Sequence, residues 1–147
     1  LMKIRATTSS TLGAITSSGT FTQTVGNGQA LAVKSLTELT TIAAAATTDT
    51  AIQIPANAVV FAVSVRVTVV IPTAATFTVI GTTSSTAFQT GASVSVAANT
   101  TDVGTKSCPY LNTTAQTIRI TPNLTPADTT GRVRVTIHYY EITAPTS

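Results

Sequence analysis

The chain has 147 residues, of which 43% are hydrophobic and only 9% charged, with a net charge of +3. Its one His, one Cys, five carboxylates and absent Trp stand against 34 Thr and 12 Ser, which excludes most enzyme chemistry, because catalysis needs convergent ionisable groups with shifted pKa values. Typical domains carry roughly 25% charge, so a surface this poor in charge is expected to be covered in part by neighbouring subunits.

The length favours one domain with a short extra segment. With aromatic content of 5%, the core must be built from Val, Ile, Ala and Leu. The opening LMKIR has charges where a secretory signal has an apolar stretch, so no signal peptide is read there. No stretch reaches the roughly 18 apolar residues of a membrane span, so membrane insertion is not expected. The basic residues are spread from Lys3 to Arg134 rather than clustered among aromatics, which argues against nucleic acid as a partner.

In chain order, Thr7–Thr24 is Thr, Ser and Gly with isolated apolar residues, and Val25-Gly26-Asn27-Gly28 signals a tight turn. Ala30–Thr40 has Leu31, Leu36 and Leu39 at spacings a short helix would use, although its Thr neighbours disfavour helix. Ala43–Thr48 reads as a linker. A boundary is therefore placed at residue 48, between an N-terminal Thr/Ser-rich β segment (1–48) and a β-sandwich domain (49–147).

Beyond it, period-two alternation dominates and puts every second side chain on one sheet face. The clearest strand is Val59–Val70, with Val59, Phe61, Val63, Val65, Val67 and Val69 on the apolar face and Ala62, Ser64, Arg66 and Thr68 on the other. In Arg132–Ile142, Val133, Val135, Ile137 and Tyr139 alternate with Arg132, Arg134, Thr136 and His138. Gln116–Thr121, Asp49–Ile54, Ala75–Ile80, Ser93–Ala97 and Lys106–Tyr110 are shorter candidates, most of them rich in β-branched residues. Pro55, Pro72, Gly81, Gly91, Gly104 and Gly131 punctuate them. About seven short strands so spaced predict an all-β fold, an antiparallel β-sandwich of jelly-roll type.

The chemistry-bearing residues are few. The acids Glu38, Asp49, Asp102, Asp128 and Glu141 could in principle supply a glycosidase pair, but Asp102 and Asp128 sit in turn-like contexts where carboxylates bond nearby backbone. No catalytic residue is assigned. Cys108 and His138 are alone of their kind, so neither a disulfide nor a typical tetrahedral metal site can form within the chain. No cofactor motif occurs. Sequons at Asn99, Asn112 and Asn123 are expected by chance in a Thr-rich chain. Arg66, Arg119, Arg132, Arg134 and His138 all fall on outward strand faces. Were those strands neighbours, they would form a basic stripe able to meet acidic polysaccharide or a subunit's carboxylates, or simply a solvated face. Tyr139 is expected in the core, and Tyr140 on the polar face. The candidate binding residues are therefore Arg66, Arg132, Arg134 and Tyr140.

The stretch Thr50–Val70 (TAIQIPANAVVFAVSVRVTVV), followed by Ala75–Gly81 (ATFTVIG), resembles the C-terminal domains of tailed-bacteriophage fibres and tailspikes, as does the ending Gly131–Ser147 (GRVRVTIHYYEITAPTS). The resemblance covers about two-thirds of the chain. It implies a β-sandwich at the tip of a trimeric appendage in the virion, with residues 1–48 as the end of a shaft. Such domains often carry a Gly-Asp-rich loop after the second strand, whereas Ile80–Ser85 has no acid. Three functions follow as expectations. The first is a homotrimeric tail-fibre or tailspike tip binding host cell-surface polysaccharide, with three copies offsetting weak single sites. The second is a capsid decoration or head-fibre protein contacting other virion proteins. The third is a polysaccharide depolymerase, which the scarcity of acids disfavours.

Overall fold

The alternation is realised as ten strands and no helix among the described residues of the computed structural model, which are 21–24, 29–83, 86–90 and 94–145. They are β1 (Phe21–Thr24), β2 (Ala30–Thr41), β3 (Thr48–Ile54), β4 (Ala58–Val69), β5 (Thr76–Gly81), β6 (Val94–Ser95), β7 (Thr101–Gly104), β8 (Tyr110–Asn112), β9 (Gln116–Pro122) and β10 (Arg132–Thr143). All pairings are antiparallel. One sheet runs β1-β2-β10-β4-β7, with β8 also on β4, and the other runs β3-β9-β5-β6. The two inner faces enclose one core, as in a β-sandwich.

Three strands reach twelve residues, about twice the usual five or six. β10 lies between β2 and β4 and is the spine of the larger sheet. Its inward residues Val133, Val135 and Ile137 are fully buried, and Tyr139 joins them as its alternation requires. Opposite them lie Phe77 and Val79 of β5 and Ile118 and Ile120 of β9.

The structure departs from the sequence expectations in specific places. Ala30–Thr41 is a strand, not a helix, because it pairs with β10 over its whole length, and that ladder overrides three Leu at helical spacing. It lies N-terminal to position 48 and in the same sheet as β4 and β10. Lys106–Tyr110 is not a strand. Cys108-Pro109 is a cis peptide there, and the strand begins at Tyr110. Of the expected strand 93–97, Val94–Ser95 pairs among the described residues, and position 93 lies outside them. Asp102 stands in strand β7 and not in a turn. The tight turn read at Val25–Gly28 and the shaft-like residues 1–20 lie outside the described residues.

The phase of β4 is the most instructive difference. His138 pairs with Ala62, but the next residue of β10, Tyr139, pairs with Val60, so Phe61 is the extra residue of a β-bulge. A bulge inverts the alternation. Ala58 and Val60 therefore point inward and are fully buried, while Phe61, expected inside with Val63 and Val65, is exposed. A second register shift leaves Thr68 extra and turns Val69 outward.

One end of the sandwich is closed by polar groups. Asn112 and Gln116 are buried; Gln116 donates to Asn112 Oδ1, and Asn112 donates to the carbonyls of Ile54 and Pro55. Gln116 Oε1 accepts from the backbone and hydroxyl of Thr83. No described buried side-chain nitrogen or oxygen lacks a partner, as folded interiors require. A Cβ on Gly104 would sit 2.0 Å from the Phe88 carbonyl oxygen, so only glycine allows β7 and residues 86–90 to approach this closely.

Candidate functional site

The outward side of the larger sheet holds every residue singled out as a binding candidate. Because β10 neighbours β4, Arg134 lies directly opposite Arg66 in register. Arg132 is one outward position before Arg134, and His138 and Tyr140 follow along the same face. The expected basic stripe therefore exists, with one correction. Arg119 belongs to β9 in the other sheet, where it faces Asp49 across the ladder and binds it with two bonds of 2.7 Å. That pairing holds the Asp49 carboxyl below its ordinary range and raises Arg119.

The four candidates do not converge on one point. Arg134 and Tyr140 are six residues apart on one strand, about 20 Å at the usual rise. Arg132 is occupied: its guanidinium donates to the carbonyls of Thr129, Thr130 and Gly131 at 2.6 to 3.0 Å and so braces the entry to β10. Tyr140 stacks against Phe61 with ring centroids 6.4 Å apart, and Phe61 also lies 6.1 Å from the His138 ring. This aromatic group exists because the bulge turns Phe61 outward, which strict alternation could not reveal.

His138 bonds Ser64 at 2.9 Å through Nε2, and burial pushes its pKa below the ordinary 6.5. Burial thus favours its neutral form, with the ring between Ser64 and Phe61. Cys108 is half-buried and contacts the Ala87 carbonyl, and burial raises its thiol, the reverse of what a nucleophile requires. Glu38 accepts from the amides of Ala51 and Ile52 and from Thr40, linking β2 to β3. Asp128 accepts from the Thr130 amide and hydroxyl, the turn role expected of it. Glu141 pairs with Lys34, and that bond raises the Lys34 pKa. Among the described residues no three of His, Cys, Asp and Glu gather as metal ligands would.

Two concavities among the described residues bear on this face. A recess of about 200 Å³ is lined by Ser64, Arg66, Thr101, Asp102, Val103, Arg134 and Thr136. A more apolar hollow of about 410 Å³ lies at the far end of β2 and β10, lined by Ala30, Leu31, Ile142 and Pro145 among others. The surrounding face is unusually apolar for an exterior: Leu31, Val33, Leu39, Phe61, Val103, Leu111 and Ile142 all stay exposed on it. The arrangement suits binding through area, arginine and hydroxyls.

No protein-family model matches the chain, and no curated protein matches it. Among solved structures, it is similar to a chain in the capsid asymmetric unit of cyanophage Pam1, with 21% identity and a TM-score of 0.51. The likeness covers 90% of this chain and 94% of the other, so the two are similar in length and share a fold over most of it.

Proposed function

We propose that the chain is a structural protein of a phage particle, located in the virion, that decorates the capsid and reinforces its shell. The observation that carries this reading is the fold likeness to a capsid component over nearly the whole of both chains. Three features support it. The surface is poor in charge, the outward face of the larger sheet combines exposed apolar side chains with arginine and hydroxyl groups, and carboxylates such as Glu38 and Asp49 are spent on structural bonds. Such a face can supply area and specificity to a neighbour while the β-sandwich stays rigid. Binding to the assembled shell and not to its dissociated parts stabilises the shell by mass action. In this reading the chain has no catalytic role.

The test is the position of the chain in the particle. Virions that carry it are separated into heads and tails, and each fraction is probed with an antibody against the chain. Detection in heads, together with earlier DNA release on heating of particles that lack the chain, is the expected result. Detection in tails alone overturns it. That outcome would favour the second reading, a trimeric fibre tip contacting host glycan, which the strand motifs of Thr50–Val70 and Gly131–Ser147 support.

A further inference from the structure

We propose that Arg66 and Arg134 form a two-pronged clamp for an acidic side chain, Asp or Glu, of a different protein in the particle. This rests on the reading of the chain as a virion structural protein and names what its binding face recognises. The two arginines occupy directly opposed positions on adjacent strands, and both side chains are exposed. Like charges in that position repel, and a sheet places them there at a cost unless an anion lies between them. Neither takes part in an ion pair among the described residues. Arg66 donates to Asn99 Oδ1 at 2.9 Å, in a turn where Asn99 has φ of 69°, and this bond steadies one prong. The recess between the strands adds the hydroxyls of Ser64, Thr101 and Thr136. Asp102 also lines it, leaving two guanidinium groups to one carboxylate, and Asp102 has an interaction of its own.

The anion is not a carboxylate side chain from a second copy of this chain. Four of its five carboxylates are engaged, Glu38 on backbone amides, Asp49 on Arg119, Asp128 on Thr130 and Glu141 on Lys34, and the fifth, Asp102, already lines the recess and has an interaction of its own. The surroundings favour protein over polysaccharide. Leu39 pairs with Arg134 on one side and Val103 with Ser64 on the other, exposed by 45% and 57%. Arginine framed by aliphatic side chains is the composition of a protein interface, and planar guanidinium groups grip carboxylate with paired hydrogen bonds.

The experiment adds purified full-length chain to heads from particles that lack it and measures the bound fraction by sedimentation over a salt series. Wild type is expected to bind, less tightly as salt rises. R66Q/R134Q is expected to bind about thirtyfold or more weakly, the effect of removing one side of a charge pair at an interface. K106Q, which removes a cation remote from the recess, is expected to match wild type. The free double variant should melt close to wild type, since relief of the repulsion offsets loss of the exposed Arg66–Asn99 bond. R66K/R134K keeps charge and stem but not the planar fork, and should bind more weakly than wild type at every salt concentration. Equal binding by R66Q/R134Q, or by R66K/R134K, overturns the clamp while leaving the capsid reading intact. Binding of the chain to polygalacturonate that needs both arginines, with head binding unaffected by their loss, overturns the protein partner. Failure of wild type to bind heads at all overturns the capsid reading and the clamp with it.

Discussion

Asn112 and Gln116 show what single residues contribute here. Their amides satisfy one another, two backbone carbonyls and Thr83 in a buried site. Asn112→Ala would strand the carbonyls of Ile54 and Pro55 and the Gln116 amide together, and should cost about 2–3 kcal/mol, measurable by denaturant unfolding. Gly104→Ala should be at least as damaging, because its Cβ would meet backbone at 2.0 Å and not a side chain that can swing away. His138 carries a pH effect whose sign is fixed. Its folded pKa lies below 6.5, so near that pH the unfolded chain binds more protons than the folded one. Its contribution to stability is complete above 6.5 and is lost as pH falls through the folded value. Unfolding midpoints measured from neutral pH to about pH 5 should therefore decline in wild type and decline less in His138→Gln. Asp49, held below 3.8 by Arg119, acts only in a more acidic window, so the two effects separate.

Among the elements, β4 is the one whose local rule breaks. Removing one residue from a strand normally inverts every side chain beyond the cut. Phe61 is already the unpaired residue of a bulge, so its deletion would join Val60 to Ala62 and leave Ala58, Val60, Val63 and Val65 inward. A Phe61 deletion is expected to fold, losing chiefly the ring contacts with His138 and Tyr140. A Val65 deletion is expected not to fold. Circular dichroism and thermal melting of the two variants distinguish the outcomes, and an unfolded Phe61 deletion would count against the bulge as the reason for the phase change. In β10, Ile137→Ala removes a fully buried side chain at the centre of the sheet, and should cost about 2–4 kcal/mol.

For the molecule as a whole, the decisive property is the difference between its two exteriors. The outward side of the smaller sheet carries the Asp49–Arg119 pair, neutralised within the chain. The outward side of the larger sheet carries an unneutralised arginine pair amid exposed aliphatic and aromatic groups. A domain that docks by one face would be built in this way. Hydroxyl-radical oxidation of exposed leucine and phenylalanine side chains should therefore differ between free and particle-bound chain. Protection is expected at Leu39 and Phe61, on the larger sheet, and not at Leu124, which lies beyond β9. Equal protection at all three would contradict one-sided docking.

The sequence by itself determined the fold class, because period-two alternation is a property of neighbouring residues and survives whatever partner a strand finds. It placed β4, β9 and β10 nearly to the residue and put Tyr139 in the core. Tertiary structure decided the rest. Whether Ala30–Thr41 became helix or strand depended on the β10 ladder, a contact with residues a hundred positions away. The phase of β4 depended on a bulge defined only by its partner's register. Arg119, equal to Arg66 and Arg134 in the sequence pattern, was separated from them by sheet membership, while those two were brought into direct opposition. Alternation is local, but the breaks in its phase and the neighbours of each side chain are set by long-range pairing, and the candidate site consists of neighbours.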